Sequence, residues 1–123
     1  MSRKRLPTDR QSVTHRVQIR NVTGGDYDLY IIVGLYPGKK PKPGELFLKI
    51  GKVGSTMRGM LDLLGLQTSL LLQNGVSLES ICDKMEGTQF EPRGATDDPD
   101  IPECSSLADY TFRWLRLRFL TGA

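Results

Sequence analysis

The spacing of hydrophobic positions changes once along this chain, near residue 50, from a period of two to a period between three and four. Residues 12–20, SVTHRVQIR, alternate. Val13, His15, Val17 and Ile19 share one face, and Thr14, Arg16, Gln18 and Arg20 share the other, as in a half-buried strand. NVTGGDYD then supplies turn chemistry. DLYIIVGLY, over 28–36, is β-branched, aromatic and apolar on both faces, which predicts a central strand. Gly34 inside it predicts a bulge or a close backbone approach. PGKKPKPGE predicts a loop, because its prolines and glycines oppose regular structure. ELFLKI, over 45–50, puts Leu46, Leu48 and Ile50 on one side of a third strand. Three strands with short connections in sequence order predict an antiparallel meander.

From residue 51 the pattern is helical. GKVGSTMRGMLDLLGLQTSLLLQNG reads as one long helix, with Ser55 or Thr56 as N-cap and Asn74-Gly75 as its end. Met57, Met60, Leu61, Leu64, Leu71 and Leu72 follow one face, while Leu63, Leu66 and Leu70 fall outside it. The helix is therefore expected to be covered twice, by the sheet and by a second helix or another subunit. Ser77 caps a short helix, SLESICDKM, whose stripe is Leu78, Ile81, Cys82 and Met85. Residues 87–104 show no period, although Phe90 and Ile101 are apolar anchors, and long segments of this kind tend to be functional. Residues 105–120 form a last helix, opened by a Ser106–Asp109 capping pair and rich in Leu107, Tyr110, Phe112, Trp114 and Leu115.

The expected fold is α+β: a three-stranded antiparallel β-meander followed by three helices, with the long central helix packed on the sheet. Residues 1–11 read as a flexible basic N-terminal arm, 12–120 as a single domain and 121–123 as a tail. The two long helices offer more apolar surface than a small sheet can cover. A homo-oligomer is therefore expected, with Trp114, Phe112 or Leu115 near its interface.

Charge adds little to this picture. A net charge of +3 permits an anionic partner, but no aromatic-interleaved basic stripe points to nucleic acid. The N-terminus has no apolar h-region, and no apolar run is long enough for a membrane span, so a cytoplasmic protein is expected. Cys82 and Cys104 fit no metal spacing and read as reduced thiols. His15, the single histidine, lies on an apolar face and reads as a satisfied core residue, with no partner for a metal site or an acid–base pair. Asp97, Asp98 and Asp100 match no calcium loop. Two features do suggest a ligand. The entrance of the long helix, Gly54-Ser55-Thr56, is a candidate phosphate site, flanked by Lys49, Lys52 and Arg58. Arg93, beside the flexible Gly94, is a second candidate for gripping phosphate. No catalytic residue, metal or cofactor is predicted.

Several strings occur together in a telling order: RLPTDRQSVTH, IIVGLY, PGELFLKIGKVGSTMRGMLD, SLLLQNGVSLESICDKMEGTQFEPRGAT and DPDIPECSSLADYTFRWL. Over about residues 5–120 they resemble the C-terminal domain of adenosylcobalamin (vitamin B12)-dependent class II ribonucleotide reductases, related to the TSCPD domains. The Thr-Ser-Cys-Pro-Asp string itself is replaced by Glu-Cys-Ser-Ser-Leu-Ala-Asp at Glu103–Asp109. The resemblance implies that the catalytic barrel and cysteine-rich tail of such enzymes are not in this sequence. The expectation is a non-catalytic module that binds a nucleotide or related phosphorylated small molecule within an oligomer. Two alternatives are an accessory subunit docking on a ribonucleotide reductase large subunit, and a viral or mobile-element protein that sequesters a nucleotide immune signal.

Overall fold

The structure is a computed structural model that describes residues 3–120, so the expected tail at 121–123 lies outside the described residues. The expected meander is present. β1 (Ser12–Asn21), β2 (Asp26–Tyr36) and β3 (Lys42–Ile50) pair antiparallel, with β2 in the middle. Their inward side chains, half-buried at Val13 and His15 and buried elsewhere, form cross-strand rows, Val13–Val33–Leu46, His15–Ile31–Leu48 and Val17–Leu29–Ile50. The register is fixed because a slip by one residue would turn every one of these side chains to solvent. A register shift between Gly34 and Leu35 supplies the anticipated bulge, and a Cβ on Gly34 would run into Glu45.

Two features of the sheet depart from expectation. β3 starts at Lys42, inside the stretch read as loop, and includes Pro43. β3 is an edge strand, where a residue without an N–H leaves no ladder bond broken. The aperiodic stretch 87–104 adds two strands, β4 (Gly94–Thr96) and β5 (Glu103–Cys104), giving five strands in the order β3-β2-β1-β4-β5. Strands of three and two residues are too short to display a period. Gly94 makes the pairing possible: at φ 143° it approaches the Arg20 carbonyl so closely that a Cβ there would collide with it. Asp97 extends the contact, its carboxylate accepting the Gln18 N–H at 2.9 Å while its own N–H donates to Gln18 O.

Three helices complete the fold: α1 (Ser55–Gln73), α2 (Leu78–Met85) and α3 (Leu107–Phe119). The caps of α2 and α3 are those expected, Ser77 accepting the Ser80 N–H and Ser106 the Asp109 N–H. The Asp109 carboxylate accepts the N–H groups of Gly87 and Ser105 and so ties α3 to the segment after α2. α3 forms the principal layer of the core, with Leu107, Tyr110, Phe112, Trp114 and Leu115 buried. The residues expected near an oligomer interface are thus inside the protomer.

α1 packs differently from the expectation. Of its proposed stripe, Leu61 is buried and Met57, Leu64 and Leu72 are half-buried against the core, while Met60 and Leu71 are exposed; the other buried positions are Gly65, Thr68, Ser69 and Gln73. The reason lies in what α1 meets, which is the outer edge of β3. Unpaired strand groups need hydrogen-bond partners. Ser69 Oγ accepts the Leu46 N–H at 2.8 Å, and Gln73 Nε2 donates to Gly44 O at 2.9 Å. Gly65 lets the helix come close, since a Cβ there would sit 2.7 Å from Leu46 O. The basic segment ahead of β1 follows the same edge: Arg3 Nε donates to Gln73 Oε1 at 2.6 Å, and Arg10 grips Glu45 with two nitrogens at 2.7 and 2.9 Å.

Candidate functional site

The start of α1 opens onto a groove of about 870 Å³. Its capping residue is Gly54 rather than Ser55 or Thr56, and no side chain closes the first turn. The first helical hydrogen bond runs from the Arg58 N–H to Gly54 O at 3.2 Å. The N–H groups of Ser55, Thr56 and Met57 lie ahead of it and have no partner within the helix. No acidic residue occupies this turn to offset the positive end of the helix dipole. Beyond the turn the groove is apolar, walled by Met57, Met60, Leu61 and Leu64 on the helix and by Phe90 from the segment after α2. Met60 and Phe90 are exposed despite their size.

The predicted site residues divide among three places. Gly54, Ser55 and Thr56 line the groove. Arg58 stands in the first turn and donates to Val53 O at 3.3 Å. Lys52 is exposed just before it and is the one non-glycine residue with positive φ, 62°, among those described. Lys49 lies on β3, with its ammonium 3.5 Å from Asp62 of α1. Arg93 lines another depression, of about 410 Å³, with Gln89, Cys104, Ser105 and Arg113. The 87–104 segment thus sends Phe90, rather than Arg93, to the α1 groove.

A hydrogen-bonded chain elsewhere was not legible in the sequence. His15 Nε2 lies 2.6 Å from Tyr110 Oη, and that hydroxyl donates to Asp98 Oδ2 at 2.6 Å. With the tyrosine proton directed at Asp98, His15 must donate from Nε2. Its ring stacks on Trp114, with centroids 4.6 Å apart and planes 13° from parallel. Burial lowers the imidazole pKa below its usual range, against the raising effect of Asp98 and Asp97. Burial, then the bond to Asp98, raises that of Tyr110. His15 is therefore a neutral structural donor at neutral pH. The alternation in β1 did place it on the buried face, but its partners come from 83 and 95 residues further along.

Neither cysteine is poised for chemistry. Burial pushes the Cys82 thiol up to about 11 and raises that of Cys104, so both stay protonated. Among the described residues no cluster of His, Cys, Asp and Glu is arranged to hold a metal ion, and no helix is long and apolar enough to cross a membrane.

The TSCPD domain family matches residues 3–119 of this chain. The chain belongs to that family. Relatives of this TSCPD domain are named vitamin B12-dependent ribonucleotide reductase. The protein of Rhodopirellula baltica is 43% identical over 120 residues, 98% of this chain and 11% of the relative. That of Streptantibioticus cattleyicolor is 42% identical over 118 residues, 96% of this chain and 18% of the relative. That of Agrobacterium fabrum is 32% identical over 119 residues, 96% of this chain and 9% of the relative. The resemblance read from the sequence strings therefore holds over nearly the whole domain, and this domain spans under a fifth of each relative's length. No solved structure matches it.

Proposed function

We propose that this TSCPD domain is a non-catalytic binding module that takes a nucleotide, or a similar phosphorylated molecule with a flat apolar part, in the groove at the head of α1. One observation carries the reading: the groove joins an uncapped helix start to an apolar wall bearing Phe90. Phosphate oxygens accept the open N–H groups of Ser55, Thr56 and Met57, and Lys52 and Arg58 add charge. The base lies against Phe90 and the methionines. Lys49 is paired with Asp62 and contributes less, and Arg93 belongs to a separate surface.

Calorimetric titration with mono-, di- and cyclic nucleotides tests this. Charge-assisted contacts contribute about 1.5–3 kcal/mol each. Lys52→Ala or Arg58→Ala is therefore expected to weaken binding by about ten- to a hundredfold without moving the melting temperature. Phe90→Ala is expected to weaken it further. Ser55→Ala is the control: Ser55 is not the cap, so stability should change by no more than about 0.5 kcal/mol. Undiminished affinity in all three binding variants overturns the site.

A second reading, a subunit docking on a ribonucleotide reductase, is favoured by the relatives: each is named as such a reductase and contains the equivalent of this chain as a small part. Co-purification with a large subunit from the source distinguishes it.

A further inference from the structure

The charge of this chain is unevenly divided. Residues 3–50 carry ten Lys and Arg against four Asp and Glu, whereas residues 51–120 carry seven against ten. The basic half is the β1–β2–β3 meander with the segment ahead of it. One face of the meander holds the core. Among the described residues no helix covers the other, since α3 meets the inner face at His15 and α1 lies along the β3 edge. The strand register sets what this open face presents. Tyr30 of β2 stands between Arg16 of β1 and Lys49 of β3, and the next row is Thr14–Ile32–Phe47. Tyr30 and Phe47 keep 40% and 43% of their surface in solvent. They are diagonal neighbours across the β2–β3 ladder, about 7–8 Å apart. Arg16 reaches Asp28 at 2.8 Å and Lys49 reaches Asp62 at 3.5 Å, but these groups are all about half exposed, so the pairs are weak and readily exchanged.

Further basic groups collect at the end of this face nearest the β2–β3 turn. Arg10 grips Glu45, which shares the outer side of β3 with Phe47 and Lys49. Arg3 lines the same depression as Phe47 and Lys49. Lys4 lies over the Tyr36 ring. Lys39, Lys40 and Lys42 follow in and after the turn, exposed and, among the described residues, in no ion pair.

We infer that the open face binds a single-stranded nucleic acid, with bases stacked on Tyr30 and Phe47 and phosphates held by the surrounding lysines and arginines. Along the chain no basic stripe is interleaved with aromatics, but strand pairing builds one by setting Arg16, Tyr30 and Lys49 in a row. Charge alone admits any polyanion. The two exposed rings choose among them, because a single strand offers a flat base with every phosphate, which a carboxylate-rich peptide or a lipid headgroup does not supply. A duplex keeps its base faces inside the stack, out of reach of a sheet surface. Neither ring belongs to the groove at the head of α1, so the inference stands apart from nucleotide binding there.

Fluorescence anisotropy of the full chain with a labelled single strand of about twelve nucleotides tests it. Binding is expected at low salt and should weaken as salt rises. Tyr30→Thr and Phe47→Thr keep β-branched side chains suited to a strand, so the melting temperature should hold. Each is expected to weaken binding by about ten- to a hundredfold, whereas Tyr30→Phe keeps the ring and should bind as the wild type does. Lys39→Ala with Lys40→Ala lies in a loop and tests the site even if a Thr substitution unsettles the sheet. It is expected to weaken binding and to flatten the log–log salt dependence by about 1.4, for two lost phosphate contacts on a single strand. Absence of binding, full affinity in both Thr variants, or an unchanged salt slope in the lysine variant overturns the proposal. So does a polyglutamate peptide, an anionic vesicle or a duplex of the same sequence that competes as well as the strand.

Discussion

α1 and α3 both bring a large share of apolar side chains to the fold, yet they stand in opposite relations to the sheet. α3 lies in the core and buries Leu107, Tyr110, Phe112, Trp114 and Leu115. α1 lies against the edge of β3 and buries Leu61 with Gly65, Thr68, Ser69 and Gln73, leaving Met60, Leu63 and Leu66 outside. What a helix buries is set by the surface it meets. A pleated face offers apolar side chains and receives apolar side chains, whereas a strand edge offers N–H and C=O groups and receives small or polar residues. Apolar content therefore ranks these two helices wrongly as contributors to the stability of the protomer.

The difference is sharpest under truncation. Phe112→Ala removes a fully buried ring and is expected to cost about 3–5 kcal/mol in denaturant unfolding. Leu66→Ala, at a half-exposed position of α1, is expected to cost no more than about 0.5 kcal/mol in the protomer. Equal losses at the two positions would abolish the distinction between core helix and edge helix.

A smaller effect tests what α1 does bury. Ser69→Ala strands the Leu46 N–H in a buried setting and is expected to cost about 1–3 kcal/mol. The loss should appear with faster amide exchange along β3 and little change in β1. A neutral Ser69→Ala would mean that the helix is held by contacts other than the edge hydrogen bonds.

The smallest expected effect concerns pH and belongs to the α3 side alone. His15, stacked on Trp114, has its pKa lowered on folding by burial. The unfolded chain therefore binds the proton more readily, and the folded state loses stability as pH falls below about 6.5 through the lower folded value. Above that range the contribution is fully present. His15→Gln keeps a donor for Tyr110 and removes the titration, so unfolding measured across a pH series should flatten between neutrality and mild acid. An unchanged slope in the variant would assign the pH dependence to other groups.

The legible parts of this fold were those with local signals. Alternation gave the faces of β1 and β3, the two-sided apolar character of β2 gave its central place, Gly34 marked the bulge, and Ser77 and Ser106 marked the starts of α2 and α3. Three features were hidden for three different reasons. β4 and β5 are shorter than any periodicity can register. The buried side of α1 also carries Gly65, Thr68, Ser69 and Gln73 because it answers a backbone edge, so a hydrophobic stripe located only the part of it around Met57, Leu61, Leu64 and Leu72. The contacts of His15 with Asp98 and Tyr110 depend on the whole sheet closing. The candidate site was half legible. Gly54–Thr56 was found from helix-start chemistry, but Phe90 opposite it, and the separation from Arg93, depend on the path of the segment after α2.

The seal that α1 places on β3 also bears on solubility. An open strand edge is a template on which other chains can add strands, and β3 alone offers nine residues of it. Ser69 and Gln73 occupy groups on that edge, and Gly65 holds the helix too close for an incoming strand. At the opposite side β5 is two residues long, too brief to guide another strand into register. Both margins of this small sheet are thus closed to growth, one by a helix and one by brevity, so the chain can crowd in a cell without joining its sheets end to end.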